Sequence, residues 1–345
     1  MLHGRGNVVP SPAAFESQMP FTLQASLGLP LHALKWLGGQ GTRAIAALVF
    51  IGIAVPPLGQ LLKPFVTEAI FVLLCISFMR VDIGTMRDHL RRPGIIVAAT
   101  AWTTLGIPLI AGVGCLAAGL DARAPDLFLA LMLQAVASPM MAAPALAALI
   151  GLDSTLVLIT LVTSTALVPV SAPLFAYAFF GDTLTLSPLA LGIKLFAILG
   201  GSLCVAAAIR WCVGAAAIQR HKQAIDGINI LILFVFVAAV MGSVAGSTLS
   251  EPAKVLGLAL LCFAVFFALL GTTVLIFRKL GWDRAFALGL MVSQRNMGLM
   301  VAATDGVLPG LTWLYFALSQ FPIYLSPQLL KPIVGRLSAG QAARP

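Results

Sequence analysis

Charged residues are scarce in this chain of 345 residues. They make up 10% of the sequence, whereas soluble domains usually carry about 25%. Hydrophobic residues make up 60%, and the mean hydropathy is +1.02. A water-soluble fold cannot bury so much apolar surface, so lipid must cover part of it. The low charge content therefore predicts an integral membrane protein.

Acidic residues are fewer than basic ones, and the 21 Lys and Arg against 12 Asp and Glu give a net charge of +9. This excess could indicate a nucleic-acid partner. However, the basic residues form short clusters between apolar runs, and no RNA- or DNA-binding motif accompanies them. Such clusters are typical of the flanks of membrane spans. We therefore expect membrane lipid, and no nucleic acid, as a partner.

Cysteine and histidine are also few and poorly placed for chemistry. The five cysteines lie within or beside apolar runs without the spacing of metal pairs, and an odd number does not suit a disulfide framework. The four histidines lie in the N-terminal segment or in polar connections. The sequence also lacks an HExxH motif, a GxSxG elbow and paired carboxylates within the apolar runs. We expect no enzyme activity and no bound cofactor.

Apolar segments long enough to cross a bilayer recur along the chain, separated by charged or Pro/Gly-rich connections. Residues 1–42 are rich in Pro, Gly and Ser without a signal-peptide pattern, and predict a disordered or interfacial tail. Residues 337–345 predict a short C-terminal tail. A count of eight to eleven spans is compatible with the pattern, and ten fits it best. The predicted spans lie near 43–62, 65–81, 94–119, 126–150, 153–179, 188–210, 223–246, 253–277, 284–304 and 309–334.

The basic residues also predict how the chain is oriented. With a cytoplasmic N-terminus, 16 of the 21 Lys and Arg fall in cytoplasmic segments, and only Lys63, Arg123 and Lys254 fall outside. Positive charge favours the cytoplasmic side. We therefore expect both termini in the cytoplasm and location in the plasma (bacterial inner) membrane. Lys194 and Arg295 remain within apolar sequence, and Lys194 is close enough to a span end to snorkel to the outer surface without further function.

Two stretches of the chain resemble each other and predict an internal repeat. Residues 119–140 run from Gly-Leu-Asp through an apolar segment to an interruption at Ala137, and residues 281–298 run from Gly-Trp-Asp to an interruption at Arg295. This match aligns span four with span nine. Because the two are an odd number of spans apart, the second copy has the opposite orientation in the membrane. Paired interruptions of this kind point to a transporter's midplane site. The predicted repeats cover 43–180 and 187–336.

The interruptions contain the residues most suited to binding. Pro139 and Pro144 remove backbone donors within span four, so the freed carbonyls need partners that hydrocarbon cannot supply. Arg295 in span nine costs about 3 kcal/mol at mid-membrane and cannot lose its proton. It therefore either compensates an anionic substrate or caps the carbonyls of a broken helix. The predicted substrate-binding residues are Arg295, Asn296, Ser138, Pro139 and Gln294, with Ser164 and Thr165 from the hydroxyl-rich span five.

Several short motifs together resemble the bile acid:sodium symporter family, whose fold is similar to that of the sodium/proton antiporter NhaA. The resemblance covers roughly residues 43–336. It implies a core domain with two crossing broken helices at spans four and nine, and a panel domain from spans one, two, six and seven. The motifs are Phe78-Met79, Asp88 and Arg91-Arg92-Pro93 after span two, the Ala137-Ser138 break, Thr165, Pro169 and Pro173 in span five, and Arg295-Asn296-Met297-Gly298-Leu299.

The sequence departs from this family at the positions that the resemblance assigns to sodium. A Glu and a Gln of the sodium-coupled members are replaced by Met291 and Arg295, and an Asn and a Gln by Pro139 and Thr103. Sodium prefers several oxygen ligands, including a carboxylate. We therefore expect Arg295 to stand as a fixed replacement for a sodium charge.

The sequence thus predicts an all-α polytopic membrane protein that moves a small organic anion by alternating access, without the usual sodium sites. A sodium-coupled organic-anion symporter is the alternative within the same class. A non-transporting membrane receptor or regulator, or an intramembrane enzyme, is the alternative from another class.

Overall fold

The computed structural model describes residues 21–40, 47, 50–80, 93–181, 187–242 and 244–342, with side chains from 30 to 335. These residues are almost entirely helical. Short 3-10 turns occur at Lys63–Phe65 and Arg278–Leu280, and a π-helical turn at Trp102–Gly106. The helices are α1 (Phe21–Gln40), α2 (Pro56–Leu62), α3 (Val66–Met79), α4 (Pro93–Ala101), α5 (Ile107–Ala117), α6 (Leu120–Arg123), α7 (Pro125–Val136), α8 (Ala143–Leu149), α9 (Ser154–Phe180), α10 (Pro188–Val213), α11 (Ala215–Arg220), α12 (Lys222–Met241), α13 (Val244–Ser250), α14 (Pro252–Phe277), α15 (Trp282–Ser293), α16 (Met297–Ala303) and α17 (Gly310–Ala342).

Six helical segments of the described chain are long and apolar enough to cross a membrane. Their apolar side chains also point outward: Val170 is 71% exposed and Phe196 is 70% exposed. Outward apolar faces on helices of this length require lipid. The prediction of an all-α membrane protein is confirmed at this level. The six segments are Pro56–Met79, Pro93–Ala117, Ser154–Phe180, Pro188–Val213, Lys222–Ser250 and Pro252–Leu280.

The predicted boundary between the first two spans is wrong. We placed it at residues 62–65, but the helical path from Pro56 to Met79 is continuous, and Lys63–Phe65 forms only a 3-10 turn within it. Pro56 and Pro57 instead begin the segment, since proline fits the first helical turn, where no backbone donor is needed.

Residues 21–40, within the segment predicted to be a disordered or interfacial tail, form a helix. This helix, α1, packs closely on α12. A Cβ on Gly38 would lie 2.1 Å from the Gln223 carbonyl oxygen, and one on Gly227 would lie 2.1 Å from the Leu34 carbonyl oxygen. Only glycine permits backbones to approach so closely. The contact was not predicted because the N-terminal segment has a mixed composition.

The helices pack in two groups. In the first, which we call the α12 group, α12 contacts α1, α2 and α3, and α10 contacts α3. In the second, which we call the α9 group, α9 contacts α4, α8 and α15, α14 contacts α15 and α17, and α7 contacts α5 and α17. The groups meet where α9 contacts α10 and where α16 contacts α3 and α10.

Polar pairs identify the two ends of the helix bundle. At one end, which we call the Asp226 end, Arg80 forms an ion pair of 2.7 Å with Asp226, and Arg210 donates to the Met79 carbonyl over 3.3 Å. At the other, the Asp305 end, Lys194 forms an ion pair with Asp305. In the sequence, Asp82 is close enough to Arg80 to pair with it at the end of the span, but Asp82 lies outside the described residues.

Further pairs assign the remaining helices to these ends. Thr312 Oγ1 donates to the Asp126 carbonyl over 2.8 Å, which places the starts of α7 and α17 together at the Asp305 end. Asp153 and Arg284 lie 3.9 Å apart and place the starts of α9 and α15 together at the Asp226 end. Helix direction therefore alternates along the chain.

Candidate functional site

Two helices of the α9 group are interrupted in the middle, at the positions that the sequence predicted. The first is α7 followed by α8, with 12 and 7 residues. The second is α15 followed by α16, again with 12 and 7 residues. The breaks lie at residues 137–142 and 294–296.

The two breaks contact each other directly. Met140 N donates to the Gln294 carbonyl and Asn296 N donates to the Ser138 carbonyl, both over 2.7 Å. These bonds flank an isolated antiparallel bridge between Pro139 and Arg295. Backbone groups within a membrane must find partners inside the protein. Each break therefore supplies the partners that the other requires.

The Arg295 side chain lies buried behind this bridge, with 2% of its surface exposed. Its Nη1 donates to the Ala137 carbonyl over 2.9 Å. Nη1 and Nη2 also lie 3.4 and 3.3 Å from the Thr103 carbonyl oxygen. The Nε atom has no hydrogen-bond partner. No carboxylate among the described residues pairs with this guanidinium, and its hydrogen-bond partners there are the Ala137 and Thr103 carbonyls.

Local sequence explains why these two carbonyls are free. Ala137 ends α7 with an extended backbone, ψ 150°, so its carbonyl leaves the helix ladder. Thr103 lies in the π-helical turn, where the Ile107 N–H donates to Trp102. Pro108, which follows Ile107, has no N–H and therefore cannot donate the corresponding hydrogen bond to the Thr103 carbonyl. The guanidinium thus caps carbonyls, as one of our two interpretations of Arg295 requires.

A cavity of about 420 Å³ lies between the two helix groups, beside the bridge. Its walls come from α3, α12, α17 and the two breaks. Arg295 is the only charged residue among the described residues that line it. Apolar side chains predominate, and Met140, Met141, Met241 and Met297 are among them. Methionine adapts to ligand shape.

Three polar side chains form a row on the α17 wall of this cavity. Gln320, Tyr324 and Gln328 are four residues apart and therefore share one helix face. Their exposure rises from 6% at Gln320, through a half-buried Tyr324, to an exposed Gln328. Exposure along this wall of the cavity therefore increases toward the Asp226 end. The Tyr324 hydroxyl has no hydrogen-bond partner.

The structure brings some of the predicted site residues to the cavity and leaves others outside its described lining. Arg295 and Asn296 line it, and the Asn296 side chain also accepts from Leu299 N over 3.3 Å to cap α16. Ser138 and Pro139 belong to the bridge behind it. Gln294 Nε2 donates to Ser326 Oγ over 2.7 Å, while its Oε1 has no partner.

The remaining predicted residues are buried within the α9 group. Ser164 Oγ donates to the Thr160 carbonyl, and Thr165 Oγ1 has no partner. Met291 is fully buried among apolar side chains. Thr103 Oγ1 donates to the Ala99 carbonyl over 2.7 Å, so Thr103 reaches Arg295 through its backbone alone.

The polar row of α17 was not predicted, although the sequence contains its signal. Gln320, Tyr324 and Gln328 recur every four residues within an apolar span, and this period places polar groups on one face.

The chain matches no protein-family model, and no curated protein matches it. The resemblance to the bile acid:sodium symporter family therefore remains an expectation from its motifs.

Proposed function

We propose that the protein is a secondary transporter that moves a small organic anion across the cell membrane by alternating access. One observation carries the proposal: Arg295 is the only charged residue among the described residues that line the cavity, and its buried guanidinium has no carboxylate partner among them. Carbonyl dipoles stabilise this charge but do not neutralise it. In a low-dielectric environment it favours an anion in the adjacent cavity. A volume of about 420 Å³ suits a small organic molecule.

The proposed topology has ten spans arranged as two inverted five-helix repeats, with both termini in the cytoplasm. The equal segment lengths of the broken helices and their reciprocal pairing support the repeat. The α12 group corresponds to a panel domain and the α9 group to a core domain. In this orientation the Asp226 end faces the cytoplasm, and the cavity opens inward.

We propose that sodium does not occupy the usual sites of the resembling family. Pro139 and Met291 offer no side-chain oxygen. The Thr103 and Ala137 carbonyls, which could have served a metal ion, accept instead from Arg295. A cation placed near the guanidinium would also be repelled by it.

A binding and transport assay tests the proposal. Purified protein is screened by thermal shift against short-chain carboxylates, aryl sulfonates and steroid carboxylates, in sodium and in choline buffers. We expect saturable stabilisation by at least one anion, equal in both buffers, and counterflow of that anion in proteoliposomes. Stabilisation by sodium alone, which potassium and choline do not reproduce, would contradict sodium independence. Binding without counterflow would favour a receptor.

A further inference from the structure

Two polar contacts at the Asp305 end join the α12 group to the α9 group. Lys194, on α10, forms an ion pair with Asp305, which follows α16. Lys63, in the turn between α2 and α3, lies 4.9 Å from the ring centroid of Trp313 on α17. Each contact pairs a lysine of the α12 group with a residue of the α9 group.

Among the described residues, the ion pairs at the Asp226 end have a different arrangement. Arg80 and Asp226 both belong to the α12 group, and Asp153 and Arg284 both belong to the α9 group. These pairs stiffen each group without tying it to the other. The exposure of the α17 wall of the cavity also increases toward this end.

Asp305 adopts a backbone conformation that is unfavourable for residues other than glycine. It has φ 54° and is the only residue other than glycine with positive φ among the described residues. Its N–H donates to Ala302 and the N–H of Gly306 donates to Val301, which together form a Schellman motif at the end of α16. Glycine is the usual residue at this position. An aspartate here indicates that the side chain has a role of its own.

We propose that Lys194–Asp305 and Lys63–Trp313 form the outer gate of the cavity. While they are intact, they hold the two helix groups together at the Asp305 end and close the cavity there. The groups must separate here for the cavity to face outward. This inference rests on the proposed function for its direction, but the gate itself is a property of the two helix groups.

Thiol labelling tests the gate without any substrate. The five native cysteines are replaced, and Met141→Cys places one thiol on the cavity wall. A membrane-impermeant maleimide is then applied to right-side-out and to inverted vesicles. With the gate intact, we expect fast labelling from the cytoplasmic side and slow labelling from outside.

Gate variants should raise the outside labelling rate. Because exposed ion pairs are weak, Lys194→Gln or Asp305→Asn should each raise it about two- to fivefold. Asparagine tolerates the left-handed backbone, so Asp305→Asn tests the charge alone. Lys194→Gln combined with Lys63→Gln should raise the rate about tenfold. Lys254→Gln is the matched control, since it removes an exposed pair of 2.7 Å with Glu251, only three residues away, and should change nothing.

Unchanged outside labelling in folded Lys194→Gln and Asp305→Asn would overturn the gate, even if anion transport is demonstrated. Increased labelling in a protein that transports no anion would support the gate and refute the proposed function.

Discussion

The two broken helices have segments of equal length but carry different kinds of residue at two comparable positions, the break and the C-terminal end. Both have segments of 12 and 7 residues, and both end in a Schellman motif, at Gly151 after α8 and at Asp305 after α16. At the paired breaks, however, Pro139 in the first faces Arg295 in the second. The helical segments of the two broken helices therefore match in length and in how they end, whereas their charge differs.

The residues at these positions differ in whether they only fit the backbone or also add charge. Proline and glycine in the first helix satisfy only the backbone, because Pro139 removes a donor and Gly151 adopts φ 82° without strain. Arginine and aspartate in the second helix occupy comparable places and add charge. We infer that the second broken helix determines substrate charge and gating, and that the first supports it.

The largest expected effect comes from placing charge in the first break. Pro139→Arg would set a second guanidinium opposite Arg295 inside the protein. Two like charges about 4 Å apart repel by about 4 kcal/mol at an effective dielectric constant of 20. We expect a loss of folded protein, measured by size-exclusion chromatography after detergent extraction. Pro139→Gln is the neutral control and should fold. A folded Pro139→Arg with the wild-type melting temperature would mean that the breaks are not in contact.

A smaller effect on stability is expected at Gly151, which ends the first broken helix. Gly151→Ala forces a Cβ into the left-handed region and should lower the free energy of unfolding by about 1–2 kcal/mol. Gly257→Ala in α14 is the control, because a Cβ there meets open space within a helix and should be neutral or stabilising. The melting temperatures of the two variants test this expectation. Equal shifts would contradict a left-handed backbone at Gly151.

The smallest effect on stability is expected at Asp305. Asp305→Gly makes the second helix end like the first, which relieves backbone strain of about 1 kcal/mol. It also removes an exposed ion pair worth about 0.2–1 kcal/mol. The two changes offset, so the melting temperature should stay nearly constant while outside labelling of Met141→Cys increases. A large loss of stability would show that Asp305 is structural.

Sequence alone could predict where the helices break, because proline and a mid-span arginine conflict with a continuous membrane helix. It could not predict that the breaks pair, since the two backbone hydrogen bonds join residues 154 and 158 positions apart. The role of Thr103 was also hidden, because its carbonyl is freed by a π-helical turn. Lys194 was expected only to snorkel, since its partner Asp305 lies far away in sequence.

The central claim is that Arg295 supplies the charge that selects an anion. Its most direct test measures melting temperature and affinity for the tightest-binding anion of the panel on Arg295→Gln. If the claim holds, the variant folds but loses affinity by about 10- to 150-fold, equivalent to about 1.5–3 kcal/mol for a charge-assisted interaction. Arg295→Lys should recover only part of this, because lysine keeps the charge but cannot reproduce the guanidinium's bonds to two carbonyls. Wild-type affinity in a destabilised Arg295→Gln would contradict the account and leave Arg295 as a helix cap alone.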